Sequence, residues 1–293
     1  MFVATLVASS MLGQGEIAAA HDALAAAGCA PGAMRWIDEG IAADIPFATD
    51  PVAARAAIPP ARMGYDVVIQ AEATRAKRLL VADMDSTMIT VECIDELADY
   101  AGIKAQIAEV TERAMRGELD FAEALRSRVA LLAGLDEAMI DRCREERVRL
   151  MPGAKALIRT MRARGARTVL VSGGFTRFAE PVAAEIGFDR AVANVLEIAD
   201  ARLTGLVGTP IVDAARKQHE LEQAIADLGI DPALSLAVGD GANDIPMIRA
   251  AGLGVAYHAK EKTRAAAHAE VVHGDLSVLL YAQGIARAAW VAE

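Results

Sequence analysis

Two carboxylates one residue apart, Asp83 and Asp85, follow the apolar run Leu79-Leu80-Val81-Ala82 in the stretch RLLVADMDSTMIT, residues 78–90. Carboxylates that close repel, and one is driven toward its protonated form unless a metal ion, a shared proton or phosphate chemistry resolves the conflict. Three further islands carry polar residues: Val171-Ser172-Gly173-Gly174, Lys217, and Gly239-Asp240-Gly241-Ala242-Asn243-Asp244. Taken singly, each has an ordinary structural explanation. Asp-x-Asp after a strand serves as a helix cap or turn, and Ser-Gly-Gly as a tight turn. Lys217 reads as a solvated helix lysine, and GDGAND as a loop.

The elements that must position these islands decide between the two readings. Four apolar residues before a polar cluster read as a buried parallel strand whose C-terminal end faces a site. From Leu79 onward, strands are expected at 79–83, 167–171, 191–196, 235–239 and 253–256. Helices are expected at about 154–164, 176–186, 214–228 and 244–251. This alternation predicts an α/β doubly wound parallel sheet, Rossmann-like, with ligands at the carboxyl ends of its strands. A helical, charge-rich stretch from roughly 90 to 150 is too long for a simple crossover and reads as a cap over those ends. Before it, residues 1–70 follow a β-α-β-β-(α)-β order with a shortened second helix, which matches a small ferredoxin-like α+β unit. The polar residues 71–77 are expected to join the two.

Composition narrows the class. The 293 residues are 54% hydrophobic and 24% charged with a net charge of −10, which points away from nucleic acid and anionic membrane partners. No run reaches the ~20 apolar residues that span a bilayer. No Lys or Arg precedes Arg35, against a secretory signal. Cys29, Cys93 and Cys143 lack metal-site spacing and read as free thiols in a reducing compartment. A cytoplasmic protein is the expectation.

In their order and placement, the four islands resemble the haloacid-dehalogenase-like phosphohydrolase superfamily over about residues 78–280. The resemblance implies Asp83 as nucleophile, forming an aspartyl-phosphate, and Asp85 as general acid and base. It implies Mg²⁺ held by Asp83, the backbone carbonyl of Asp85, and Asp240, with Asp244 as ligand or support. Ser172, Gly173 and Lys217 would hold the phosphoryl oxygens. An acidic residue at 85 favours a phosphatase, since cation-pumping relatives carry threonine there.

The cap segment MRGELDFAEALRSRVALLAGL, 115–135, is in turn similar to that of phosphoserine phosphatases. That likeness implies Glu92 against a substrate ammonium and Arg128 against its carboxylate. Met115 and Phe121 would line the pocket, and Asn243 would lie near the phosphate. The implied reaction is hydrolysis of O-phospho-L-serine to L-serine and phosphate, the last step of serine biosynthesis. Another small amino-alcohol phosphate, such as homoserine phosphate, is the alternative. Residues 1–72 resemble an ACT-type regulatory or interaction module, which implies amino-acid binding or pairing into a homodimer. Residues 73–293 would be the phosphatase domain.

Overall fold

The structure, a computed structural model, describes residues 1–116 and 118–291, with the side chains of all these except Ala61, Arg62 and Met115. The N-terminal part runs β1 (Phe2–Val7), α1 (Gln14–Ala26), β2 (Arg35–Asp38), β3 (Ala42–Phe47), α2 (Pro51–Ala57), α3 (Pro60–Met63) and β4 (Asp66–Ala71). Its strands are antiparallel in the order β2-β3-β1-β4. The shortened second helix, read over 51–62 as a weak turn or short helix, is two helices, α2 and α3. Pro59 and Pro60 end the first and start the second, because proline lacks the donor a helix interior needs but suits the first helical position.

After β5 (Leu79–Ala82) the chain leaves the sheet for α4 (Cys93–Tyr100), α5 (Lys104–Met115), α6 (Phe121–Ala130) and α7 (Ala138–Arg147). These four helices form the cap. The chain then continues through α8 (Ala154–Ala163), β6 (Arg167–Phe175), α9 (Thr176–Ile186), β7 (Arg190–Asn194), β8 (Leu196–Ala199) and β9 (Arg202–Val207). It closes with α10 (Ala214–Leu228), β10 (Ser235–Gly239), α11 (Ile245–Ala250), β11 (Leu253–Tyr257), α12 (Glu261–Arg264) and β12 (Ala269–Val271), before a short helix, Val278–Ala282.

Strands β12, β11, β10, β5, β6 and β7 are parallel in that spatial order. Thus β5 and β10 lie side by side in mid-sheet, and both end at the same edge. All four residues of β5 are fully buried. Leu80 and Ala82 face one hydrophobic layer, Leu79 and Val81 the other. Burial on both faces explains why this strand is uninterrupted apolar sequence rather than an alternation.

The N-terminal strands extend this sheet. β4 pairs antiparallel with β12 at Val67 and Glu270, giving ten strands in one sheet. The seam is polar and closely bonded. Buried Asp66 accepts backbone N–H groups from Val272, His273 and Gly274 at 2.7, 3.1 and 2.7 Å. Arg75, in the expected connecting segment, holds Asp44 at 2.6 Å and donates to the carbonyl of Ala282 at 3.2 Å.

A second element departs from the sequence reading. In place of a single strand over 191–196, β7 ends at Asn194 and a hairpin, β8–β9, follows. Its two-residue turn, Asp200-Ala201, has φ of 49° and 58° at both positions. That is the mirror-image geometry tight hairpins favour, but without the glycine that signals it in sequence. The hairpin lies along the cap: Gly134 N–H donates to Leu203 O at 2.8 Å, and Leu203 N–H to Leu135 O at 2.9 Å.

Candidate active site

The carboxyl ends of β5, β6 and β10 and the first turns of α10 meet under the cap. Asp83 leaves β5 with its N–H donating to Val238 O of β10 at 3.0 Å, so the backbone ladder itself fixes the residue. One Asp83 oxygen accepts the Met84 N–H at 2.8 Å and lies 2.6 Å from Lys217 Nζ. Lys217 is the fourth residue of α10, a helix started by Asp213, whose carboxylate accepts the Arg216 N–H. It is fully buried, and its ammonium also touches Asp244 at 2.7 Å. Burial alone would lower its pKa, but Asp244 and Asp83 more than compensate, so it stays charged.

Asp83, Asp240 and Asp244 bring carboxylate oxygens within 4.8 Å of one another. Three negative charges meet one lysine, an excess of two. The strain of this excess falls on the acids. Burial, then Asp244, push Asp83 well above the carboxylate range against the pull of Lys217. Burial, then Asp244 and Glu92, raise Asp240 to about 6. An all-oxygen donor set with an excess of two negative charges fits a hard divalent cation such as Mg²⁺. Gly239 permits the approach, since a Cβ there would overlap the Asp244 carboxylate.

Asp85 stands apart from that trio. Its carboxylate faces the cavity and accepts the Cys93 N–H at the start of α4 over 3.4 Å. Burial, then the charge of Glu92, raise it to about 7. The two acids of the motif therefore sit in different surroundings, one on the lysine and the carboxylate trio, the other on the cavity. Gly174 keeps that space open: a Cβ there would lie 3.0 Å from Ser172 Oγ and 3.1 Å from an Asp85 oxygen.

Above the acids is a cavity of about 160 Å³ lined by Asp83, Asp85, Glu92, Phe121, Arg128, Ser172, Gly173, Asp240 and Asn243, with Ile94 and Leu125 from the cap. The cap side rests on α6, whose start is held by a reciprocal capping box between Asp120 and Glu123. Phe121, Leu125 and Arg128 then recur at helical spacing on the face that meets the cavity. Among the described residues the Arg128 guanidinium donates only to the Ala124 carbonyl, at 3.4 Å, and forms no salt bridge. Burial lowers its pKa, while Asp95 and Glu92 favour its charge. Glu92 occupies the N-cap position of α4 without capping it, which leaves its carboxylate to the cavity rim. The side chain of Met115 lies outside the described residues.

A family model of haloacid dehalogenase-like hydrolases matches residues 80–249, more than half of the chain. The chain belongs to the haloacid dehalogenase-like hydrolases. Over 241 residues it is 47% identical to a phosphoserine phosphatase from Streptomyces coelicolor, covering 82% of this chain and 58% of that protein. It thus spans little more than half the length of that curated relative. The crystal structure of a probable phosphoserine phosphatase from Vibrio cholerae, in unliganded form, superposes with a TM-score of 0.78 at 32% identity. That match covers 98% of this chain and 87% of the other. A structure of a phospho-aspartyl intermediate analogue of phosphoserine phosphatase gives a TM-score of 0.65 at 35% identity, covering 70% and 98%.

Within this haloacid dehalogenase-like hydrolase, two residues beside the expected ones shape the site. Buried Asn194 donates to the Gly173 carbonyl at 2.8 Å and accepts the Val212 N–H at 2.8 Å. It ties the Ser172 loop to the segment entering α10, and nothing in Ala-Val-Ala-Asn-Val announces that role. Thr87 Oγ1 faces Asp240 at 3.4 Å. The hydroxyls after the acid pair were a visible signal, but sequence alone did not say what they touch.

Proposed function

We propose that this protein hydrolyses O-phospho-L-serine to L-serine and phosphate, as the last step of serine biosynthesis. The observation that carries the reading is the pair Glu92 and Arg128: opposite charges on one small cavity, not paired with each other, beside an acid pair suited to phosphoryl transfer. A zwitterionic amino acid bearing a phosphate matches that layout, its ammonium toward Glu92 and its carboxylate toward Arg128. Phe121 completes the pocket wall.

Phosphate monoesters are among the slowest molecules to hydrolyse unaided, so attack, leaving-group protonation and charge neutralisation are all needed. Asp83 attacks phosphorus while the bond to the serine oxygen breaks and Asp85 gives that oxygen its proton. The resulting aspartyl-phosphate is cleaved by water, whose proton returns to Asp85. Ser172, the Gly173 N–H and Lys217 hold the phosphoryl oxygens, with Asn243 near them. Asp83, Asp240, Asp244 and the Asp85 carbonyl would hold Mg²⁺, which when bound supplies the positive charge that keeps Asp83 ionised.

Residues 1–72 form, in this reading, an ACT-like module ahead of a phosphatase domain at 73–293. β2 stands at one end of the sheet, which supports pairing through this module into a homodimer; a solution mass measurement tests that. The three buried, unpaired cysteines suit a reducing cytoplasm. Among the described residues, no helix is long and apolar enough to cross a membrane.

Phosphate release from L-phosphoserine, homoserine phosphate, phosphoethanolamine and p-nitrophenyl phosphate, with Mg²⁺ and with EDTA, tests the assignment. The expected result is Mg²⁺-dependent turnover with a strong preference for phosphoserine. Preference for homoserine phosphate, or none at all, would overturn the substrate.

A further inference from the structure

The motif Asp83-Met-Asp85-Ser86-Thr87 ends in two hydroxyls, and each meets a different carboxylate. Thr87 turns to Asp240, on the carboxylate trio. Ser86 turns the other way, and its Oγ donates to Glu92 Oε1 at 2.7 Å, the shorter contact of the two. Ser86 also donates its backbone N–H to the Val91 carbonyl at 3.3 Å. Both donors of one residue therefore close the neck of the loop 86–92, whose Met88 and Ile89 are fully buried beneath.

Ser86 holds a left-handed backbone, φ 55°, that residues with a side chain rarely adopt. A glycine would relieve that conformation, yet the position carries a hydroxyl directed at Glu92. Glu92 needs such a partner. It is exposed, does not cap its own helix, and has no salt bridge among the described residues. Left alone, a solvent-facing glutamate samples several rotamers, and each must be given up when a ligand is bound. A carboxylate accepts several hydrogen bonds, so with Oε1 on Ser86 the second oxygen stays available to the cavity.

We infer that Ser86 is a positioning residue: its hydroxyl fixes the Glu92 carboxylate at the cavity rim and thereby sets selectivity for substrates carrying an ammonium group. The inference rests on the phosphoserine reading above. It acts on recognition of the amine and not on phosphoryl transfer, so it appears as a ratio between two esters. 3-Phosphoglycerate is the matched probe, with phosphate and carboxylate kept and a hydroxyl in place of the ammonium.

The experiment measures kcat/KM for phosphoserine and for 3-phosphoglycerate in the Mg²⁺-loaded wild type, Ser86→Gly, Ser86→Ala, Glu92→Gln and Ser86→Gly/Glu92→Gln. Glycine removes the hydroxyl while easing the left-handed turn; alanine removes it without easing the turn. Both should lower the phosphoserine to 3-phosphoglycerate ratio by roughly tenfold, the low end for a hydrogen bond to a charged group. In the Glu92→Gln background, Ser86→Gly should lower the ratio no further, because the two residues act as one unit. Equal loss on both esters would make Ser86 a loop brace and overturn the inference. So would full additivity of the two substitutions. A wild type that does not distinguish the two esters is a separate outcome, and it strikes the phosphoserine reading itself.

Discussion

Two groups of buried and half-buried acids belong to the same sheet, one within its strands and one at their ends, and are treated in opposite ways. Asp66, at the seam between β4 and β12, is matched by three backbone N–H donors, and Asp44, on β3, by Arg75 and the Thr5 hydroxyl. Under the cap, Asp83, Asp240 and Asp244 share one lysine, and the Asp85 carboxylate is met by Cys93, its N–H at 3.4 Å. Buried charge with its full set of partners holds structure together, and buried charge left short of partners is held ready for chemistry. Stability has been given up at the second site and not at the first.

The sharpest way to break this contrast is at Asp83. Asp83→Asn keeps the shape and removes the attacking charge, and should cut phosphate release by roughly four orders of magnitude or more. Substantial residual turnover would remove Asp83 as nucleophile. Arg128→Ala tests the cap side. It should lower kcat/KM for phosphoserine by about 100-fold, and far less for p-nitrophenyl phosphate, which offers no carboxylate. Equal loss on both would make Arg128 structural.

Two melting experiments set the acid groups directly against each other. Asp66→Asn places an amide among three N–H donors and should lower stability by about 2 kcal/mol, read as a fall in Tm. Asp240→Asn should do the reverse in metal-free protein at pH 7–8, raising Tm by roughly a few degrees. The sign follows from linkage. With Asp240 at about 6 in the folded chain and near the ordinary carboxylate value when unfolded, ionising it opposes folding. That penalty is full above about pH 6 and fades as the pH falls toward 4. The gain from Asp240→Asn should therefore shrink toward pH 4, and a gain that persisted there would place the effect elsewhere.

The parallel-sheet core was legible in the sequence because buried parallel strands leave apolar runs and their ends leave acids. Leu79–Ala82 and Ser235–Gly239 are such runs, and pairing them in mid-sheet puts Asp83 and Asp240 together. The cavity wall was less legible. Phe121 and Arg128 are separated by two helical turns, a spacing that hides as easily in a solvated helix. The β8–β9 hairpin escaped because Asp200-Ala201 makes its turn without glycine. The continuity of the sheet through β4 and β12 rests on a three-residue strand and on Asp66 meeting backbone amides some 200 positions away, as in the 2.7 Å contact from Gly274. No local pattern encodes that.

In the proposed reaction the site's excess negative charge serves covalent phosphoryl transfer to Asp83. That transfer is most directly tested by acid-quenching the Mg²⁺-loaded protein during phosphoserine turnover, reducing with borohydride and mapping the product by mass spectrometry. The expected result is reduction of an aspartyl-phosphate to homoserine at position 83 and nowhere else. Turnover with Asp83 unmodified, or the mark on another residue, would contradict it.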